Sequence, residues 1–157
     1  MSEQVPAHAV PRPGLLRARR ELAAGELLAR GGFAAQAVEC AARAAVLAAQ
    51  AALAVLDEVR DQPSDVVSAY VRRVVRERAM DPDTGRALRS LVNRSALAAR
   101  THADTPAAEA GAALADAAAV IERVTEWLDD PARSAPTVGE ATRQTVRPLR
   151  RRRASET

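Results

Sequence analysis

Few side chains in this sequence can carry acid–base, nucleophilic or metal chemistry. The chain holds two histidines, His8 and His102, and one cysteine, Cys40. It contains no glycine-rich phosphate loop, no Cys-x-x-Cys pair, no His-Glu-x-x-His segment and no nucleophile elbow. A histidine metal site would need His102 from two chains, because zinc takes three or four protein ligands. The residues therefore predict no metal site and no cofactor.

Cys40 lies in an alanine-rich run with no histidine or second cysteine beside it. We expect a small buried hydrophobic residue there, with a reactive thiol as the alternative. A single cysteine cannot form an internal disulfide, which is typical of a reducing compartment. The first residues show no secretory signal pattern, and no run of about twenty bulky apolar residues occurs. We therefore expect a cytoplasmic chain without a membrane partner.

Arginine supplies most of the remaining binding chemistry. All 23 basic residues are arginines, an arginine- and alanine-rich usage that suggests a GC-rich genome. Residues 131–157 carry seven arginines against two glutamates, a net charge of +5, whereas residues 1–130 carry 16 arginines against 18 acidic residues, a net charge of −2. A salt-sensitive nucleic-acid or acidic-protein contact and a solubilising tail remain equal interpretations of the terminal cluster. Its members are Arg147, Arg150, Arg151, Arg152 and Arg153.

Length and composition indicate one ordinary soluble domain. The chain has 157 residues, of which 48% are hydrophobic and 27% charged. Its aromatic residues are Phe33, Tyr70 and Trp127, too few for a base-stacking platform or for a cofactor pocket lined by rings.

Glycine and proline fall between periodic apolar segments, and this punctuation predicts five helices. We expect an all-α fold, a five-helix up-and-down antiparallel bundle over residues 14–130. Residues 1–13 are expected to form a disordered leader, and residues 131–157 a disordered arginine-rich tail. The predicted helices are Leu15–Arg30, Phe33–Val59, Ser64–Arg78, Leu88–Arg100 and Pro106–Leu128.

Individual residues predict where these helices begin, end and pack. Gly31-Gly32 should end the first helix, and Asp81–Gly85 should form a turn before the fourth. Ser64 is expected to cap the third helix, and Thr105 to cap the fifth with Pro106 as its first residue. The alanine-dense second helix should be central. The fifth should bury a seam of Leu114, Ala117, Ile121, Val124 and Leu128.

The order of these segments resembles the HEPN (higher eukaryote and prokaryote nucleotide-binding) domain family over about Gly14 to Leu128. The resemblance implies an all-α, commonly dimeric protein. It also implies a metal-independent ribonuclease, or a toxin paired with a small nucleotidyltransferase. The segments that carry it are LLRARRELA (15–23), LLARGGFAAQA (27–37), VVSAY (66–70), LRSLVNR (88–94) and PAAEA (106–110).

The sequence departs from this family where the resemblance implies chemistry. In active members four residues separate an arginine from a following histidine, and here Arg94 is followed at that spacing by Ala99. Ala99-Arg100 stands where related members carry an Asp-Tyr pair. Alanine can neither take nor give a proton. His102 reaches the same cleft only if the last helical turn shifts, and Arg94, extended by Arg100, can still hold a phosphate. The blander interpretation is that Arg94 pairs with a carboxylate and His102 is exposed.

The leading hypothesis from the sequence is a HEPN-like helical protein that does not catalyse. It would act as a homodimer, or by binding a partner protein such as a nucleotidyltransferase or an active paralogue. One alternative is a metal-independent ribonuclease or toxin that uses Arg94 and His102. The other is a nucleic-acid-binding adaptor that uses its basic tail, with RNA as a possible partner.

Overall fold

The computed structural model describes residues 12–101 and 104–135, with the backbone alone at Thr101. The described residues form helices and no strand, which confirms the all-α prediction. They contain six helices rather than five, and a π-helical segment, Val71–Arg76, continues the third. The helices are α1 Pro13–Arg30, α2 Ala34–Ala54, α3 Pro63–Tyr70, α4 Pro82–Thr101, α5 Ala107–Leu128 and α6 Pro131–Ser134.

Helix α2 is the centre of the structure, as its alanine content predicts. It packs against α1, α3, α4 and α5. Small side chains let the neighbouring backbones approach closely, and most of α2 is buried. By length and hydropathy alone, Ala34–Ala54 could cross a membrane, but 61% of its most apolar window is buried inside the fold. Core packing therefore accounts for the apolar character of this helix.

The predictions for α1 and α5 agree well with the structure. Gly31 is the C-cap of α1, and Gly32 follows with a φ of 86°, a left-handed conformation that glycine adopts without strain. The predicted seam of α5 is buried from Leu114 to Leu128. The predicted N-terminus of α5 is wrong by one residue. Pro106 is the N-cap rather than the first helical residue, because its ψ of 144° is extended.

The predicted end of α2 at Val59 is wrong, because the helix stops at Ala54. Asp57 takes a φ of 58°, and the Glu58 N–H donates back to the Leu53 carbonyl at 3.0 Å. This reversal of the chain satisfies a terminal carbonyl and turns the backbone toward α3. Gln62, not Ser64, is the N-cap of α3.

The predicted turn at Asp81–Gly85 is also wrong, because α4 begins at Pro82. Proline suits the first turn of a helix, where its missing N–H costs nothing. The Asp81 carboxylate accepts the Asp83 N–H at 2.9 Å. Gly85 lies inside the helix, where an added Cβ would meet Val71 at 3.2 Å. This glycine permits a close helix contact rather than a turn.

Two hydrogen bonds of buried aromatic side chains connect α3 and the segment after it to the later helices. The Tyr70 hydroxyl and the Thr84 hydroxyl are 2.9 Å apart. Burial raises the pKa of Tyr70 to about 12. The Trp127 indole N–H donates to the Arg78 carbonyl at 3.0 Å, and both aromatic side chains are fully buried.

Helical structure continues past the predicted domain boundary at Pro131. The Asp130 carboxylate accepts the Ala132 N–H and caps α6, a single turn at Pro131–Ser134. The predicted leader, apart from Arg12 and Pro13, and the predicted tail from residue 136 lie outside the described residues.

Candidate functional site

Arg94 lies on the side of α4 that faces α5. Its guanidinium NH2 is 2.6 Å from Asp116 Oδ2, an ion pair between the two helices. The Arg94 side chain is 23% exposed and that of Asp116 is 48% exposed. The buried Arg94 Nε has no hydrogen-bond partner in the part of the chain that the structure describes. The blander of the two interpretations of Arg94 therefore fits this geometry, since a carboxylate already occupies its head group.

The structure does not bring the other predicted site residues to Arg94. Ala99, at the position expected for a catalytic histidine, faces a different side of α4, since five residues of an α-helix turn through about 140°. Arg100 is exposed on the last turn of α4. His102 and the tail arginines Arg147, Arg150, Arg151, Arg152 and Arg153 lie outside the described residues.

A groove among the described residues was not predicted from the sequence. Helices α1 and α4 each pack along α2 without packing along one another, and a groove of about 700 Å³ remains between them. We call this feature the α2 groove. Its floor and α4 wall are small and apolar, formed by Ala42, Val46, Leu47, Val92, Ala96 and Ala99.

The α2 groove continues toward the C-terminal end of α2. A second depression of about 350 Å³ shares Arg17, Leu47 and Gln50 with the first and extends it to Arg12 and Leu128. The α2 residues along both parts run from Glu39 to Ala54, a length of about 22 Å at about 1.5 Å per residue. The combined groove is long enough to hold about four turns of helix or a shorter extended segment.

A small charge network lies on one edge of the α2 groove. Arg43 on α2 donates from Nε to Glu21 on α1 at 2.7 Å, and its NH1 is 4.0 Å from Glu39. The hydrogen bond to Glu21 raises the pKa of Arg43. Arg17 and Asp61 also line the groove. Neither has a hydrogen bond or ion pair within residues 12–101 and 104–135.

Cys40 lies beneath this network and is 3% exposed. Its Sγ accepts a hydrogen bond from Arg43 NH2 at 3.2 Å. Burial raises the pKa of the Cys40 thiol, and the nearby Arg43 charge only partly opposes this effect. The prediction of a small buried hydrophobic residue is confirmed. Within the described residues, no group of three or more His, Cys, Asp or Glu side chains is placed to hold a metal ion.

The arrangement is suited to binding rather than to a proton transfer. An apolar floor with few charged groups along its edges is the usual composition of a helix-binding groove. Ala96 and Ala99 continue the apolar spacing from which the sequence predicts the fourth helix. Both are exposed, because no element among the described residues covers them.

Comparisons with known proteins add no relative. No protein-family model, no curated protein and no solved structure matches this chain.

Proposed function

We propose that this chain works by association, with a partner protein bound in the α2 groove. The observation that carries the proposal is the groove itself: about 22 Å of open, mostly apolar surface over the central helix. Val46, Leu47 and Val92 are only partly buried there, so a partner side chain can still remove apolar area from water. Alanines at 96 and 99 leave room for bulky side chains from that partner.

The engagement of Arg94 with Asp116 supports association over ribonuclease chemistry. A metal-independent ribonuclease needs groups that accept and donate protons beside the phosphate. Arg94 already holds a carboxylate at 2.6 Å, and Ala99 supplies no titratable group. The alternatives that use Arg94 with His102, or the basic tail, stay predictions.

We propose further features of the chain from its sequence. They comprise a HEPN-like up-and-down antiparallel bundle, a cytoplasmic location, and either a homodimer or a complex with a protein such as a nucleotidyltransferase or an active paralogue. The groove is compatible with each of these partners, because an apolar ridge about as wide as a helix is enough to fill it.

The proposal is tested by a charge placed inside the groove and a matched charge placed outside it. Ala96→Arg puts a guanidinium on the groove wall, whereas Ser90→Arg puts one on an exposed position of α4 outside the groove. The tagged full chain and both variants are purified from the cells that make the protein. The copurifying protein is then identified, purified and titrated against each variant.

We expect Ala96→Arg to weaken the Kd at least about 10-fold, the equivalent of about 1.4 kcal/mol, and Ser90→Arg to leave it unchanged. Equal affinity for all three chains would overturn the proposal. Incubation with tRNA and mRNA tests the ribonuclease alternative. Cleavage that is lost in both Arg94→Ala and His102→Ala would favour the ribonuclease alternative and overturn the proposed association.

A further inference from the structure

The described chain ends beside one end of the α2 groove. The Leu128 carbonyl accepts hydrogen bonds from Arg12 NH2 at 3.0 Å and from Ser134 Oγ at 3.3 Å. Arg12 and Leu128 both line the second, smaller depression of the groove. Because Ala135 follows Ser134 directly, the described chain ends near this end of the groove.

The groove carries an excess of negative charge beyond that end. Arg12 is paired with Asp129 at 3.4 Å, so it contributes little net charge. Among the described residues, Arg43 is the cation that both Glu21 and Glu39 approach. Arg17 and Asp61 are the other charged residues on the lining. With the paired Arg12 set aside, the lining therefore carries two arginines against three carboxylates. Arg17 lies near the end where the described chain stops, and Glu21 and Glu39 lie farther along with Arg43.

The sequence that follows has the opposite order of charges. Residues 136–157 contain six arginines and two glutamates. Glu140 comes first, and the arginines follow from Arg143 to Arg153. Apolar side chains recur between the charges, at Val138, Val146 and Leu149. The segment therefore offers an acid to Arg17, bases to the carboxylates and apolar groups to the floor.

We infer that residues 136–153 dock in the α2 groove of their own chain, as an internal occupant that a partner must displace. The inference deepens the proposed function and rests on it, since it assigns a regulator to the same groove. The segment is long enough, because its first 12 residues span up to about 40 Å when extended and the groove is about 22 Å long. Affinity for the partner is then lowered by the fraction of chains whose groove is filled.

Cross-linking in the purified full chain tests this docking. In a Cys40→Ala background, Ser95→Cys places a thiol in the groove and Val146→Cys places one in the segment. The control pairs Val146→Cys with Ser90→Cys, which is exposed on α4 outside the groove. Each pair is treated with a short bismaleimide, and the products are weighed intact.

We expect a product of monomer mass that forms about 10-fold faster for the Ser95 pair, because docking adds to the effective concentration that the tether alone provides. Salt at about 1 M should remove most of the difference, since it screens charges beyond about 3 Å. Equal rates for the two pairs would overturn the inference. A product of dimer mass would overturn it as well, since the segment would then occupy a second copy.

Trypsin provides a second measurement that needs no cysteine. Docking slows cleavage after Arg143 and Arg150, so Ala96→Arg should be cut several-fold faster than the unmodified chain, and Ser90→Arg at the unmodified rate. Identical rates in all three chains would contradict docking. These experiments contain no partner, so they can succeed or fail independently of the partner titration that tests the proposed function.

Discussion

Two alanines in helices that meet at the groove should respond very differently to enlargement. Ala45 on α2 is fully buried, whereas Ala96 on α4 is exposed on the wall of the α2 groove. The substitutions Ala45→Leu and Ala96→Leu add the same three carbon atoms at the two places. The pair therefore measures whether the groove is open while holding the chemistry of the change constant.

The structure gives the expected magnitudes. Overpacking a closed core costs about 1 to 3 kcal/mol, and about 1 kcal/mol lowers the Tm of a chain of this size by about 2 to 4 °C. Ala45→Leu should therefore lower the Tm by between about 2 and 12 °C. Ala96→Leu meets no core, and leucine is nearly as good a helix former as alanine, so its effect should stay within about 0.5 kcal/mol and about 2 °C.

Thermal unfolding followed by circular dichroism, together with urea titration, measures both values on the full chain. The urea m-value should stay constant, which would show that the native and unfolded states keep their compactness. Equal destabilisation by Ala96→Leu and Ala45→Leu would contradict an open groove. The wall of the groove would then be part of a packed core.

Three further predictions concern contacts around the core. The pKa of Tyr70 is raised to about 12 from 10, so the tyrosine loses its proton in the unfolded state before it does so in the folded state. The stability present below pH 10 should therefore fall by up to about 3 kcal/mol as the pH rises to 12. Urea titrations at alkaline pH should show that Tyr70→Phe lacks this loss of stability. The buried Cys40, whose pKa is raised, should react with a disulfide reagent at pH 8 at least about 100-fold more slowly in the native chain than in urea, and a native rate within about twofold would contradict its burial. A double-mutant cycle with Arg94→Ala and Asp116→Ala should give a coupling of about 0.5 to 1 kcal/mol, because Asp116 is half exposed, and zero coupling would show that the ion pair does not form in solution.

Local signals in the sequence predicted much of the fold. The glycine pair at 31 and 32 ends α1 because only the adjoining backbone geometry matters there. The apolar repeat of α5 is buried because a single stripe three to four residues apart can face only one way. These features depend on neighbours within one helix, so they can be predicted from the sequence.

Features that depend on distant residues were mispredicted. Pro82 and Gly85 favour a turn when taken by themselves, but Pro82 opens α4 and Gly85 lets α4 approach Val71. The π-helical segment after Tyr70 has no signal in its valine and arginine pattern. Ala96 and Ala99 belong to the apolar pattern that predicts the fourth helix. Whether another helix covers them is decided by the packing of the whole chain.

Site-specific photo-cross-linking in the cells that make the protein is the most direct test of association through the α2 groove. A photoreactive phenylalanine analogue replaces Ser95 in the α2 groove or, as the control, Ser90 outside it. We expect one dominant adduct with another protein from position 95, absent from position 90 and lost when Ala96→Arg is added. The same adducts from both positions, or none with another protein from position 95, would contradict association through the α2 groove.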